Sequence, residues 1–266
     1  MIKENILYTA LSPISHNGDE TLSNTVPFRR QTIVVGDEVE EVPVISGNSI
    51  RGIWRRLGAQ HLLDAVGLTQ EECKVDLYHK LFTGGSLNSS SDDIQVTFRR
   101  EVRAKVPFLS IFGTALDSFI LKGKLICGFM YPVCRQTAKY TGIESEKDVY
   151  EFISSEFYTR RDDYEEQQDE VIDKSNQMIY DGEVLIAGTK FNQILILDTP
   201  HSIEIGCFFN ILKLFKEKPF IGGVSRAGHG QVDFNLDFSK YEKEINEYNE
   251  FLKENKEDIK SFLIGL

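Results

Sequence analysis

The sequence predicts an α+β fold in which helices cover one face of an antiparallel, ferredoxin-like sheet. The first observation is composition: the 266 residues are 41% hydrophobic and 11% aromatic, which is enough to bury a sizeable core. The second is the order of the predicted elements: strand, long loop, helix, strand, insertion, strand, helix, glycine-rich loop and strand. A disordered chain, a collagen-like repeat and a disulfide scaffold are excluded by the same composition.

The first part of the chain predicts a strand and a hairpin. Residues 5–14 carry enough apolar and aromatic side chains for the first strand, which Pro13 ends. A long polar loop follows. Residues 32–45 then predict a hairpin with Gly36 and Asp37 at its turn.

The segment from Ser46 to Gly67 is the clearest predicted helix. Its start offers capping oxygens, and apolar residues then recur at helical spacing. On a helical wheel Arg51 and Arg55 share an edge beside the apolar side. The capping residues are Ser46, Asn48 and Ser49, and the apolar residues are Ile50, Ile53, Trp54 and Leu57.

The second part of the chain predicts the remaining core elements around an insertion. Residues 119–131 predict a strand, and one or two further strands fall within 183–199. Between them, residues 135–182 are rich in Tyr, Glu, Gln and Asp and read as a projecting insertion. Residues 202–217 predict an amphipathic helix. The segment 241–262 predicts a charged helix with an apolar stripe at Tyr241, Ile245, Tyr248, Leu252 and Ile259.

The charge of the chain is unevenly distributed. The net charge is −11, but residues 1–161 contribute only −1 and residues 162–266 contribute −10. Eleven of the twelve arginines precede residue 162. Because binding follows the local field, an arginine-lined surface on an acidic protein can still bind nucleic acid. Eight of these arginines form doublets at 29–30, 55–56, 99–100 and 160–161.

The sequence predicts a cytoplasmic protein without cofactor or metal. It lacks a secretory apolar core and any run of about 18 apolar residues, which predicts no membrane association. His61 and His79 are 18 residues apart and have no partners at metal-ligand spacing. The cysteines, Cys73, Cys127, Cys134 and Cys207, are scattered and are expected to be free thiols.

The segment VPVISGNSIRGIWRRL, residues 42–57, is the most informative motif. Small residues that lead into a helix leave backbone N–H groups at its positive end, where a phosphate can bind. Arg51 and Arg55 could close on further phosphate oxygens. An ordinary capped helix with arginines in solvent explains the same pattern equally well.

A second motif is IGGVSRAGHGQVDF, residues 221–234. Its glycines allow close backbone approach to a ligand, and Arg226 supplies charge. It is not a P-loop, because the G-x-x-x-x-G-K-[ST] order is absent. In isolation a flexible turn is the better interpretation.

These two segments, in this order, resemble the signature pair of the RAMP superfamily of CRISPR-associated proteins. Residues 11–31, 109–134 and 158–163 also resemble elements of the Cas-seven backbone subunits, with most similarity to the type IV members. The resemblance spans roughly residues 5–235.

The resemblance implies a non-catalytic backbone subunit that polymerises along a CRISPR guide RNA. An RRM-like palm would comprise residues 1–134 and 183–240, a thumb-like insertion residues 135–182, and a C-terminal helix residues 241–266. The implied partners are the guide RNA, a target nucleic acid paired with it, further copies of the chain and other CRISPR-associated subunits.

The RNA-binding residues that the resemblance implies lie in the helix start, in the glycine-rich loop and in two arginine doublets. They are Arg29, Arg30, Ser46, Gly47, Asn48, Ser49, Arg51, Arg55, Arg160, Arg161, Gly222, Gly223, Arg226, Gly228 and His229.

Catalysis is not expected. Type III relatives cut RNA with an aspartate in the loop after the first strand, whereas residues 22–30 contain no acid here. Asp19 and Glu20 lie earlier, and His16 beside Asp19 could form an acid–base pair. Two alternatives therefore stay open: an endoribonuclease of the same superfamily, and an unrelated ferredoxin-like domain that binds a small anion.

Overall fold

The structure of the chain is a computed structural model. It describes residues 1–18, 25–69, 71–87, 96–116, 119–160 and 178–266.

The strands of this described part form one four-stranded sheet and three smaller sheets, of three, two and two strands. They are β1 (Ile2–Ala10), β2 (Thr25–Val26), β3 (Arg30–Val35), β4 (Glu38–Pro43), β5 (Thr114–Leu116), β6 (Phe119–Leu121), β7 (Leu125–Pro132), β8 (Ile153–Arg160), β9 (Met178–Leu185), β10 (Lys190–Leu197) and β11 (Val232–Asn235).

The helices range from single turns to the 20 residues of the first one. They are α1 (Gly47–Val66), α2 (Val75–Tyr78), α3 (Val96–Lys105), α4 (Pro107–Phe112), α5 (Ala138–Thr141), α6 (Ser202–Glu217), α7 (Glu242–Glu254) and α8 (Lys256–Gly265).

The central sheet has the strand order β11-β1-β10-β7, and all its pairings are antiparallel. Along the chain its elements follow the order β1, α1, β7, β10, α6, β11. This is the predicted β-α-β-β-α-β arrangement, so the expected fold class is confirmed. The alternation of β1 explains its place in the middle, because Ile6, Tyr8 and Ala10 all point into the core.

Helices α1 and α6 pack together through aromatic side chains. The Trp54 ring lies edge-on to Phe208, with centroids 5.8 Å apart, and to Phe215, at 6.2 Å. Phe215 in turn stacks on Phe234 of β11 at 5.6 Å. The helical periodicity seen in the sequence thus corresponds to the buried side of α1.

The predicted C-terminal helix is in fact two helices. Helix α7 ends at Asn255, a weak helix former whose side-chain amide donates to the Phe251 carbonyl. The break redirects the chain, and both Ile259 and Leu263 of α8 are buried. The predicted apolar stripe is otherwise confirmed, with Tyr241 only partly buried.

The strand predicted over residues 119–131 is also two elements. Strands β6 and β7 are separated at Gly123, where an added Cβ would lie 2.7 Å from the Ile111 carbonyl oxygen. The chain turns there because it packs directly against the end of α4. Strand β6 pairs with β5, which the sequence did not predict.

The predicted insertion begins with residues that join the core. Val149 and Phe152 are buried in the main hydrophobic cluster. The chain then forms the antiparallel hairpin β8–β9, and residues 161–177 lie outside the described part. The division into palm, insertion and terminal helix stays a prediction. Across the residues that the structure describes, no helix has the length and apolarity needed to cross a membrane.

Candidate nucleic-acid interface

The start of α1 is capped and held in place from both sides. The Ser46 hydroxyl accepts a hydrogen bond from the Asn48 N–H at 3.3 Å, and the Ser46 N–H donates to His16 Nε2 at 3.1 Å. The second bond requires an unprotonated Nε2, so His16 orients the helix start.

Gly47 explains why a small residue opens this helix. A Cβ at this position would lie 2.3 Å from the Cys127 carbonyl oxygen of β7. Only glycine lets the helix start this close to the strand. The other side of the helix start faces outward, since Asn48 is exposed and Ser46 and Ser49 are half-buried.

Arg55 has a structural role that the sequence did not predict. Its side chain is 6% exposed, and its guanidinium donates to the carbonyl oxygens of Leu81, Phe112 and Gly113 at 3.2, 2.7 and 2.6 Å. Burial, with a smaller effect from the charge of Arg51, lowers its pKa to about 10. Arg55 therefore holds separate segments of the chain together, and its assignment to phosphate binding stays a prediction.

Arg51 has a mixed role. Its guanidinium also donates to the Phe112 carbonyl, but the side chain is only half-buried. It lines a groove of about 480 Å³ that begins at Asn48. Arg55 and residues 82–84, 112–115 and 120–123 also line the groove, and among them Lys122 is exposed. A sugar–phosphate chain can lie in such a groove beside these cationic groups.

The sequence did not predict that residues 112–115 and 120–123 line this groove. The sequence does contain glycines at the turns near these residues. Gly85 has φ +72°, and a Cβ there would lie 2.1 Å from the Ala115 carbonyl oxygen. Gly113, at φ +68°, is as close to the backbone at Gly123. The pattern could not show that these turns meet next to α1.

The glycine-rich loop packs across the segment that follows β1. Gly223 N–H donates to the Ser15 carbonyl at 2.7 Å, and Gly230 N–H donates to the Pro13 carbonyl at 2.8 Å. Gly222, at φ +75°, could not carry a Cβ, which would lie 2.2 Å from the Ser15 oxygen. Its glycines therefore serve close backbone packing.

The tip of the loop is exposed, but His229 is not. Residues 223–228 face solvent, including Gly228 and Arg226. His229 is 5% exposed, and its Nε2 lies 2.9 Å from a carboxylate oxygen of Glu156 on β8. His229 therefore connects the loop to the β8–β9 hairpin, and its assignment to RNA binding stays a prediction.

Arg30 is likewise used within the fold. Its guanidinium lies 2.9 Å from the Glu183 carboxylate of β9. Burial opposes ionisation of Glu183, but the hydrogen bonds from Arg30 and from the Phe28 N–H prevail and lower its pKa. The assignment of Arg30 to RNA binding stays a prediction. Arg29 is half-buried, and its N–H donates to the His16 carbonyl at 2.8 Å.

The last predicted doublet can be placed only in part. Arg160 ends β8, and Arg161 lies outside the described residues.

The structure brings the two predicted motifs together across one short segment. Ser15 contacts Gly223 through the backbone, and its neighbour His16 contacts Ser46 through the imidazole. The glycine-rich loop and the helix start therefore lie on either side of residues 13–16, although they are far apart in the sequence.

Of the three residues considered for catalysis, the structure describes His16 alone. His16 Nε2 accepts the Ser46 N–H, and Asp19 and Glu20 lie outside the described residues. Within the part of the chain that the structure describes, no group of three His, Cys, Asp or Glu side chains could hold a metal ion. The four cysteines are free thiols, and burial raises the pKa of Cys127 to about 12.

Comparison with known proteins gives a structural match. No protein-family model matches the sequence, and no curated protein matches it. A chain from a solved structure described as a Type IV-B CRISPR Complex is 23% identical, with a TM-score of 0.68. The similarity covers 89% of this chain and 90% of the other. It confirms the predicted ferredoxin-like α+β fold.

Proposed function

We propose that this chain is a guide-RNA-binding backbone subunit of a CRISPR ribonucleoprotein effector complex. Its fold is similar to that of a chain from a Type IV-B CRISPR complex, and its two motifs resemble the RAMP signature pair. Several copies would assemble on one guide in the cytoplasm, together with other CRISPR-associated subunits, and the guide would pair with a target nucleic acid.

The observation that carries the proposal is the meeting of both motifs beside an open groove. The exposed Asn48, the half-buried Arg51 and the exposed Lys122 all line the groove. The exposed tip around Arg226 belongs to the loop that joins this region through Ser15. These groups can hold phosphates along one strand.

Sequence-independent binding follows from the kind of groups present. Backbone N–H groups at a helix start and guanidinium groups recognise phosphates, which are the same in every guide. The bases would then stay available, and specificity would come from pairing with the target. We propose no catalytic role, since His16 is engaged in orienting α1.

The test uses a substitution that separates RNA binding from folding. Asn48→Asp adds a negative charge to the first turn of α1, where it favours the helix by about 0.3–1 kcal/mol but repels phosphate. The matched control is Asn246→Asp, which adds the same charge to an exposed position on α7.

Each variant is expressed with a repeat-spacer array, and the RNA that copurifies is quantified. We expect RNA of defined length with the wild type and with Asn246→Asp. We expect clearly less RNA with Asn48→Asp, at an unchanged or higher Tm. Equal RNA in all three proteins would contradict the proposed position, and no RNA in any of them would contradict the function.

A further inference from the structure

The Arg99–Arg100 doublet on α3 has no part in the interface described above. The stretch from 96 to 124 contains six cationic residues and only two acidic ones, a balance of +4 in a chain of net charge −11. The cationic residues are Arg99, Arg100, Arg103, Lys105, Lys122 and Lys124, and the acidic ones are Glu101 and Asp117.

Two of the six charges are neutralised within the fold. Lys105 Nζ lies 3.0 Å from Asp258 and 3.4 Å from Glu101. Lys124 Nζ lies 2.7 Å from Glu204. Neither lysine is counted as part of a binding surface.

Of the other four cationic residues, Arg99 and Arg103 are held by contacts with residues 110, 119 and 122. Arg103 donates to the Ser110 hydroxyl at 2.8 Å and to the Lys122 carbonyl at 2.7 Å. The Arg99 guanidinium lies over the Phe119 ring, 4.8 Å from its centroid. Arg100 and Lys122 are exposed. Helix α3 therefore presents positive charge from a position that is set by hydrogen bonds.

This surface is continuous with the groove at α1. Lys122 lines the groove, and its carbonyl is the acceptor for Arg103. Arg51 and Lys122 thus line the same groove, Arg103 contacts the backbone of Lys122, and Arg100 lies one helical turn from Arg103 on α3.

We propose that α3 and the turn at Lys122 form a second phosphate-binding surface, which holds the same single strand beyond the groove. This inference rests on the proposed function, because a strand in the groove is what continues onto α3. Continuity with the groove favours a nucleic-acid strand over the other acidic surface at hand, the exposed carboxylates on α7 and α8 of a second copy.

The test is the salt dependence of affinity for a fluorescent single-stranded RNA of mixed sequence. The variant Arg100→Ala removes an exposed charge of α3 that does not line the groove. The control Lys253→Ala removes one exposed lysine from α7. Each phosphate contact contributes about 0.7 to the slope of log K against log salt, so we expect the α3 variant to lower the slope by about 0.7. The matching loss of affinity is roughly 5-fold at about 0.1 M salt, with the control near the wild type.

The outcomes separate this inference from the proposed function. If the α3 variant binds like its control while Asn48→Asp binds weakly, the inference is overturned and the function stands. If the α3 variant loses self-association in sedimentation but keeps the wild-type salt slope, the surface contacts a second copy and the inference is also overturned. A wild type that binds no RNA overturns the function itself.

Discussion

Helices α1 and α3 hold the same segment of the chain from two sides, and they use arginines four residues apart to do so. Arg51 and Arg55 of α1 donate to the carbonyls at the end of α4, while Arg103 of α3 donates to Ser110 and Lys122. The difference lies in burial: Arg55 is inside the protein, whereas Arg100 is exposed. Arginines on the two helices therefore form an internal clamp in α1 and, at Arg100, an exposed charge in α3.

The largest expected effect is a loss of stability on substitution of the buried Arg55. Arg55→Ala leaves the carbonyls of Leu81 and Gly113 without their charged donor, and we expect it to lower the free energy of unfolding by about 3 kcal/mol. The control is its exposed neighbour Arg56, where alanine should change stability by less than about 0.5 kcal/mol. Denaturant unfolding measures both, and equal effects would show that Arg55 is not a clamp.

A smaller loss of stability is expected on substitution of Arg103 in α3. Arg103→Ala removes bonds to Ser110 and Lys122 from a half-buried position, so we expect a loss of about 1–1.5 kcal/mol. Arg100→Ala should leave the unfolding midpoint within about 0.5 kcal/mol of the wild type. If Arg100→Ala proved the more destabilising of the two, the assignment of α3 as an exposed charged surface would be wrong.

The smallest expected effect is a pH dependence of stability caused by His61 of α1. Burial lowers the pKa of His61, with an opposing contribution from Asp64, and the Asn210 amide lies 3.3 Å from its Nε2. The unfolded chain therefore binds this proton more readily, so the contribution is present above about pH 6.5 and lost as the pH falls below it.

The matched comparison is His61→Asn, which does not titrate. Between about pH 7 and 5 the wild type should lose more stability than this variant, by less than about 1 kcal/mol because part of the ring reaches solvent. Thermal unfolding at several pH values measures the difference. Parallel pH profiles would show that His61 titrates alike in both states.

The sequence predicted the elements whose signals are local. Helix α6 runs over Ser202–Glu217 as its apolar periodicity indicated, and α1 starts one residue after its capping serine. The hairpin turns at Gly36, which has φ +62°. Each of these depends on a capping oxygen, a period of 3.6 or a glycine, all of which can be read within a few residues.

What the sequence did not predict depends on contacts between distant segments. A helical wheel placed Arg55 at the edge of the apolar side, but it could not show that the end of α4 packs there and buries the guanidinium. His229 looked like part of a ligand-binding loop because nothing nearby indicates that Glu156 lies against it. The contacts that Arg55 and His229 make within the fold were for this reason not predicted.

The most direct test of the central claim is photo-crosslinking of RNA that carries 4-thiouridine, followed by mass spectrometry of the linked peptides. We predict links to the start of α1 around Asn48 and to the turn at Lys122, whatever the RNA sequence. Links confined to α7 and α8, or links that appear with only one RNA sequence, would contradict the account.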